Sequence, residues 1–209
     1  MPCLPKALAV MLVLTGPLAA QDLPPPMAGS YQIDMQHTSL HFRVSHLGFS
    51  NYTALFTEIK AELAFDPDHP EAMTVKASVP VASLETHNPD KALDFNKVLT
   101  GPEFLDAGQF PEITFVSTSV KVTSEGHADV TGDFTLHGVT KPLTLSVAYN
   151  GGWGDMPMDA GARIGFSATG AFNRSDFGVG FGVPAPGTTM GVGDRVEVIL
   201  EAEFIKPRG

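Results

Sequence analysis

The sequence predicts an all-β fold, and three observations carry that prediction. Apolar and polar residues alternate in run after run from Tyr31 to Phe204, which is the period of a half-buried strand. Gly, Pro, Asn and Asp punctuate the spaces between runs; the 21 glycines and 17 prolines show no collagen-like repeat and read as turn residues. With 43% hydrophobic and 17% charged residues in 209, the chain can fill one ordinary core and is not disordered throughout.

In chain order, Leu40, Phe42, Val44 and His46 share one face against His41, Arg43 and Ser45. Ile59, Ala61, Leu63 and Phe65 alternate with Lys60, Glu62 and Ala64, and Met73, Val75, Ala77 and Val79 with Thr74, Lys76 and Ser78. Next come Ile113 and Phe115, then Ala128, Val130, Phe134 and Leu136, then Leu143, Leu145, Val147 and Tyr149. Ile164, Phe166 and Ala168 form another row; Val196, Val198, Leu200, Ala202 and Phe204, set against Glu197, Glu201 and Glu203, form the last. That makes about eight strands. One stretch has a different period: Ala92, Leu93, Phe95, Val98 and Leu99 recur at helical spacing, with Asn88-Pro89 as a start signal and Gly101 as a stop. A helical excursion is expected near 89–106.

Eight amphipathic antiparallel strands can bury their apolar rows as a sandwich or as a closed barrel. The small residues Ala61, Ala77, Ala128, Gly132, Ala168 and Ala202 in the inward rows leave room that a packed core would fill, which favours a barrel able to hold one small ligand.

Residues 1–20 read as a secretory signal peptide: Lys6, then the apolar run Ala7–Leu14, then Gly16-Pro17 and the small residues before Gln21. The run is too short to span a bilayer. Residues 21–29, with Pro24-Pro25-Pro26, read as a Pro-rich leader, and 30–206 as the folded domain. Cleavage would remove Cys3, the only cysteine, and leave 12 basic against 23 acidic residues, a net charge of −11. A chain so acidic is a poor partner for nucleic acid or for anionic membrane surfaces, and no stable membrane insertion is expected.

The chemical motifs thin out on inspection. His37 and His41, read as one strand, would stand roughly 13 Å apart, beyond the reach of a single metal ion, so no metal site is expected. Asp176-Phe177-Gly178 matches a kinase motif by letter alone, without the catalytic loop that the chemistry needs. Gly178, Gly180 and Gly182 run into Val183-Pro184 where a phosphate-binding loop would need a helix. No G-x-S-x-G elbow and no readable triad occur, so no catalytic residue and no cofactor is assigned. What remains is an apolar container. Its candidate lining is Leu40, Phe42, Val44, Ile59, Leu63, Phe115, Phe134, Phe166 and Val198. His46, at the end of its strand on the apolar face, and Arg174 with Asp176, just past another strand, are candidates for a ligand head group, Arg174 pairing with Asp176 or with a ligand oxygen.

Several segments resemble the YceI-like family. They are Tyr31-Gln32-Ile33-Asp34 with His37-Thr38-Ser39, Phe42 to Gly48, Phe104-Leu105-Asp106 with Phe110 to Phe115, Val130 to Pro142, Arg174 to Gly178, and Val192-Gly193-Asp194. They fall in the family's order across residues 30–206. Thr53-Ala54-Leu55-Phe56 departs from the pattern, where a glycine usually precedes the phenylalanine, and so does the long Gly/Pro segment 178–193. The resemblance implies an eight-stranded antiparallel, lipocalin-like barrel, commonly periplasmic, that binds a polyisoprenoid or similar amphiphilic lipid and carries no catalytic residues. The expected function is therefore carriage or storage of such a lipid by an exported protein, with a homodimer left open. A stress or interaction module with an incidental cavity, and an enzyme acting on a hydrophobic substrate inside the cavity, are the competing readings.

Overall fold

The computed structural model describes residues 23–90, 92–156, 159 and 161–208, so the signal peptide expected at 1–20 lies outside the described residues. Eleven strands form one antiparallel sheet: β1 (Gly29–Ile33), β2 (Ser39–His46), β3 (Ser50–Phe56), β4 (Lys60–Phe65), β5 (Thr74–Pro80), β6 (Leu84–Glu85), β7 (Glu112–Ser124), β8 (His127–Leu136), β9 (Val139–Trp153), β10 (Gly161–Asn173) and β11 (Val192–Pro207).

The register resolves these eleven strands into eight staves. β1 and β2 both pair with β11, through Gln32↔Ile205 and Leu40↔Leu200, and are one stave interrupted at residues 34–38. β3 and β4 pair with β2 and β1 respectively, and are a second stave broken at 57–59. β5 and β6 pair with β4 and β3, and form a third, broken at 81–83. β7 to β11 are unbroken. Pairing of the first stave with β11 closes an eight-stranded antiparallel barrel and removes the free edges along that seam. The breaks in the second and third staves sit side by side: the Thr57 amide and hydroxyl both donate to the Ser83 carbonyl, at 2.9 and 3.0 Å.

Two hairpins turn on a non-glycine residue and a glycine that both have positive φ: Leu47-Gly48 (52° and 73°) between β2 and β3, and His137-Gly138 (50° and 73°) between β8 and β9. Glycine adopts this geometry freely, whereas Leu47 does so under strain.

The helical excursion is shorter than its spacing predicts. Among the described residues of 89–106, only α1 (Phe95–Leu99) is helical, capped by Asp94, whose side chain accepts from the Lys97 amide at 3.0 Å. Asn88 does not cap a helix; its side-chain oxygen accepts from the Asp90 amide at 3.0 Å, a local turn that uses up the start signal six residues early. The segment after α1 leads back to the sheet where Val81 donates to the Pro111 carbonyl, so α1 and residues 101–110 sit beside the end of the third stave, where β7 has not yet begun.

Candidate functional site

Alternation along the staves sends one apolar row of each inward, and three clusters form inside. Tyr31, Leu63, Phe65, Ile164 and Phe204 pack the end that holds the β4–β5 connection. Ala54, Phe56, Ile59, Val79 and Leu84 pack one wall of the other half, with Leu99 and Leu105 from the α1 segment laid against them. Phe134, Leu136, Leu143 and Phe177 pack the facing wall. They do not fill the barrel. A cavity of about 950 Å³ runs between them, at the upper end of the roughly 300–1,000 Å³ usual for small-molecule sites.

The nine residues expected to line a cavity, Leu40, Phe42, Val44, Ile59, Leu63, Phe115, Phe134, Phe166 and Val198, all border this one. The small residues Ala61, Ala77, Ala128, Ala168 and Ala202 border it too, which is how the space arises. Gly132 does not. Its missing Cβ makes room for another side chain: a methyl there would stand 2.5 Å from Cζ of Phe115 and 2.6 Å from the Val116 carbonyl oxygen. Gly132 thus lets the Phe115 ring approach β8 closely.

The cavity reaches the surface at both ends of the barrel. At one end it is bordered by Val122, Ser124, Gly126 and His127 around the exposed β7–β8 hairpin. At the other it is bordered by His46 and Ser50, both exposed, and by Tyr52, Phe95, Phe104 and Val179. The α1 segment adds lining that the strand pattern misses: Phe95 and Leu99, four residues apart, both border the cavity, with the Phe95 ring edge-on to Tyr52 at 5.9 Å. Their helical spacing was the available signal.

The expected head-group residues separate. His46 stands at the mouth, as its place at the end of β2 requires. Arg174 is buried and borders the cavity, but its guanidinium is committed elsewhere. Nε donates to the Gly193 carbonyl at 3.0 Å, Nη1 to those of Val179 and Phe181 at 2.9 and 2.8 Å, and Nη2 to that of Val192 at 2.9 Å. Burial pulls the Arg174 pKa below its usual value, while the Asp194 carboxylate works against that shift. The expectation that Arg174 pairs with Asp176 is corrected. Asp176 is exposed, does not border the cavity, and stands 3.4 Å from Lys141 Nζ. The short 3-10 turn over Arg174–Phe177 points the two side chains apart, inward and outward.

The reading of His37 is also corrected. It lies in the break between β1 and β2, not on a strand, so a strand period does not govern it. There Asp34, His37 and Glu203 bring ligand-type atoms within 4.8 Å of one another. The group is knitted around a cation already present: Arg163 Nη1 donates to Asp34 and to Glu203 at 2.6 Å each, and its Nε to Asp159 at 3.1 Å. Partial burial would raise the Asp34 pKa, but donation from Arg163, His37 and the Gln36 amide overrules it and holds the group at about 2. Hydrogen bonding to Asp159, then to Asp34 and Glu203, pushes Arg163 further up. This network sits on the outer wall and ties the break in the first stave to β10 and β11.

Comparison with known proteins decides the family. The model of the YceI-like domain matches residues 31–204. The chain belongs to the YceI-like family. A UPF0312 protein of Pseudomonas putida strain W619 is 38% identical over 98% of this chain and the whole of its own length. Among solved structures of this fold, Burkholderia cenocepacia BcnA superposes with a TM-score of 0.68 at 21% identity, covering 82% of this chain and 98% of its own. A polyisoprenoid binding domain from Saccharophagus degradans, implicated in plant cell wall breakdown, superposes with a TM-score of 0.57 at 13% identity, covering 85% and 98%. At those identities the two structures speak for the YceI-like barrel itself. In this YceI-like barrel the interior is the candidate site.

Proposed function

We propose that this protein carries or stores one polyisoprenoid or similar amphiphilic lipid inside the barrel, without transforming it. The observation that supports this best is the apolar cavity of about 950 Å³ running the length of the barrel. Each methylene moved from water into such a space contributes about 0.8 kcal/mol, so a long tail binds tightly without a charged contact. Binding of this kind selects chain length and shape over head-group identity. The polyisoprenoid-binding neighbour in Saccharophagus degradans supports the same ligand class. Residues 1–20 have the pattern of a secretory signal, and this supports export to the periplasm.

The test is mass spectrometry of the lipid fraction that copurifies with the chain after osmotic-shock release. A stoichiometric prenyl-type lipid is expected. Consistent release with an empty cavity, or turnover of prenyl esters or phosphates by the purified chain, would overturn the reading.

A further inference from the structure

The end of the barrel that holds His46 carries large apolar side chains that the fold leaves exposed. Phe49 is 86% exposed, Met190 74% and Phe181 53%. They sit on two segments that lie side by side: the Leu47 amide donates to the Gly191 carbonyl at 2.9 Å, and Thr189 closes over Gly48. The Phe181 ring stands edge-on to Phe104 at 5.1 Å, which extends the patch to the α1 side.

Charge sets this rim apart. The chain has a net charge of −10, yet no Asp, Glu, Lys or Arg occurs between Arg43 and Glu58 or between Asp176 and Asp194. The opposite mouth differs: Asp66, Asp68 and Glu71 stand on the β4–β5 connection and Glu125 on the β7–β8 hairpin. At the His46 end the β2–β3 and 178–193 segments form an apolar, uncharged side of the rim, while the α1 side carries the exposed Asp94, Lys97 and Glu103. The cavity lining continues into the same segments through His46, Ser50, Tyr52, Val179 and Val192, whereas Phe49, Phe181 and Met190 lie outside it.

We propose that this rim docks reversibly on the surface of a zwitterionic lipid bilayer, with Phe49, Phe181 and Met190 entering the interface so that a tail passes between bilayer and cavity without crossing water. The inference rests on the carrier reading and names the surface from which it loads. Exposed apolar patches mark protein–protein, membrane or ligand interaction sites, and Phe on an interfacial face buries at the headgroup–acyl boundary. The uncharged β2–β3 and 178–193 side of the rim, on an acidic protein, selects a surface without net charge, because anionic lipids would repel the rest of the molecule.

All eleven strands fall within 29–207, so a chain beginning at Gln21 holds the whole described fold and omits the apolar run Ala7–Leu14. The test is flotation of that chain with phosphatidylcholine vesicles, beside vesicles containing phosphatidylglycerol, and uptake of a fluorescently labelled geranylgeraniol from solution. The parent is expected to float with neutral vesicles and at least threefold less with anionic ones at low salt. The double variant Phe49→Asp/Met190→Asp is expected to lose at least tenfold in flotation, with unchanged Tm and unchanged uptake of the probe. Equal flotation of parent and variant, or preference for anionic vesicles, would overturn the proposal. So would a parent that forms dimers the variant cannot form and does not float, which would assign the rim to a second copy. Docking by a chain that takes up no probe would uphold the rim and sink the carrier reading.

Discussion

Arg174 and Gly193 are joined by a 3.0 Å hydrogen bond from Nε to the carbonyl oxygen, so one buried side chain ties both ends of the 178–193 loop. The same guanidinium holds Val179, Phe181 and Val192, and Asp194 accepts from the Ser175 amide and hydroxyl at 2.8 and 2.7 Å. A loop rich in glycine and proline, with little side-chain packing of its own, is thus shaped by a planar fork of donors.

Arg174→Ala should therefore act on the loop more than on a ligand head group. Leaving these carbonyls without their donor is expected to destabilise the protein by about 3 kcal/mol, with water recovering part of the loss. Arg174→Lys should recover less than half, because an ammonium cannot reproduce the fork. Urea unfolding measures the first effect, and faster amide exchange at Val179 and Val192 locates it. Affinities for a prenyl alcohol and its phosphate should fall by the same factor; a selective loss of the phosphate would return Arg174 to a head-group role.

Phe134→Asp should empty the cavity. Phe134 is 8% exposed, and its ring meets Phe172 and Phe177 at 5.0 and 5.3 Å. A carboxylate there has no partner among these rings, so it destabilises by several kcal/mol or takes up a proton. The expected result is loss of copurifying lipid together with a lower Tm. Retention of lipid by a variant of unchanged Tm would mean that residue 134 does not line the site.

How much of this was legible in the sequence depended on whether local pattern or tertiary geometry decided each feature. The inward rows were readable because burial of one face imposes a period of two, and all nine lining residues named from that period border the cavity. The α1 start was misplaced because Asn88-Pro89 satisfies two local rules, a cap and an Asx turn, and only packing chooses between them. His37 escaped because nothing in the residues around it shows that the first stave breaks at 34–38; Arg163, 126 residues away, helps hold that break. Arg174 was seen as functional because a charged residue at a strand end looks available, and its carbonyl partners lie as far on as Gly193.

Gly132→Ala tests how tightly the barrel wall is built. The new methyl would meet the Val116 carbonyl at 2.6 Å, and backbone in a paired strand cannot step aside as a flexible side-chain tip would. Overpacking of this kind is expected to destabilise by about 1–3 kcal/mol. The Phe115 ring, 2.5 Å from the same methyl, must swing into the cavity and shorten the space open to a tail. Titration with prenyl alcohols of increasing length checks this: the longest should lose most affinity. An unchanged length profile together with unchanged stability would show that the close approach is relieved without cost.

Asp34→Asn should change how stability depends on acid. In the folded protein the Asp34 carboxyl is held at about 2, against roughly 3.9 in an unfolded chain. A depressed pKa contributes stability that is fully present above the unfolded value and is lost as pH falls through the folded one. The window therefore runs from about pH 4 down to about pH 2. The bare shift corresponds to about 2.6 kcal/mol, and solvent screening at this outer-wall network reduces it to about 1 kcal/mol. Asparagine keeps the shape and loses the charge, while Arg163 retains Asp159 and Glu203 as partners. At pH 7 the variant should be less stable than the parent by about that amount. The gap should hold down to about pH 4 and close towards pH 2, as urea unfolding at a series of pH values would show. A gap of constant size across the series would mean that Asp34 acts through its hydrogen-bond geometry and not through its charge.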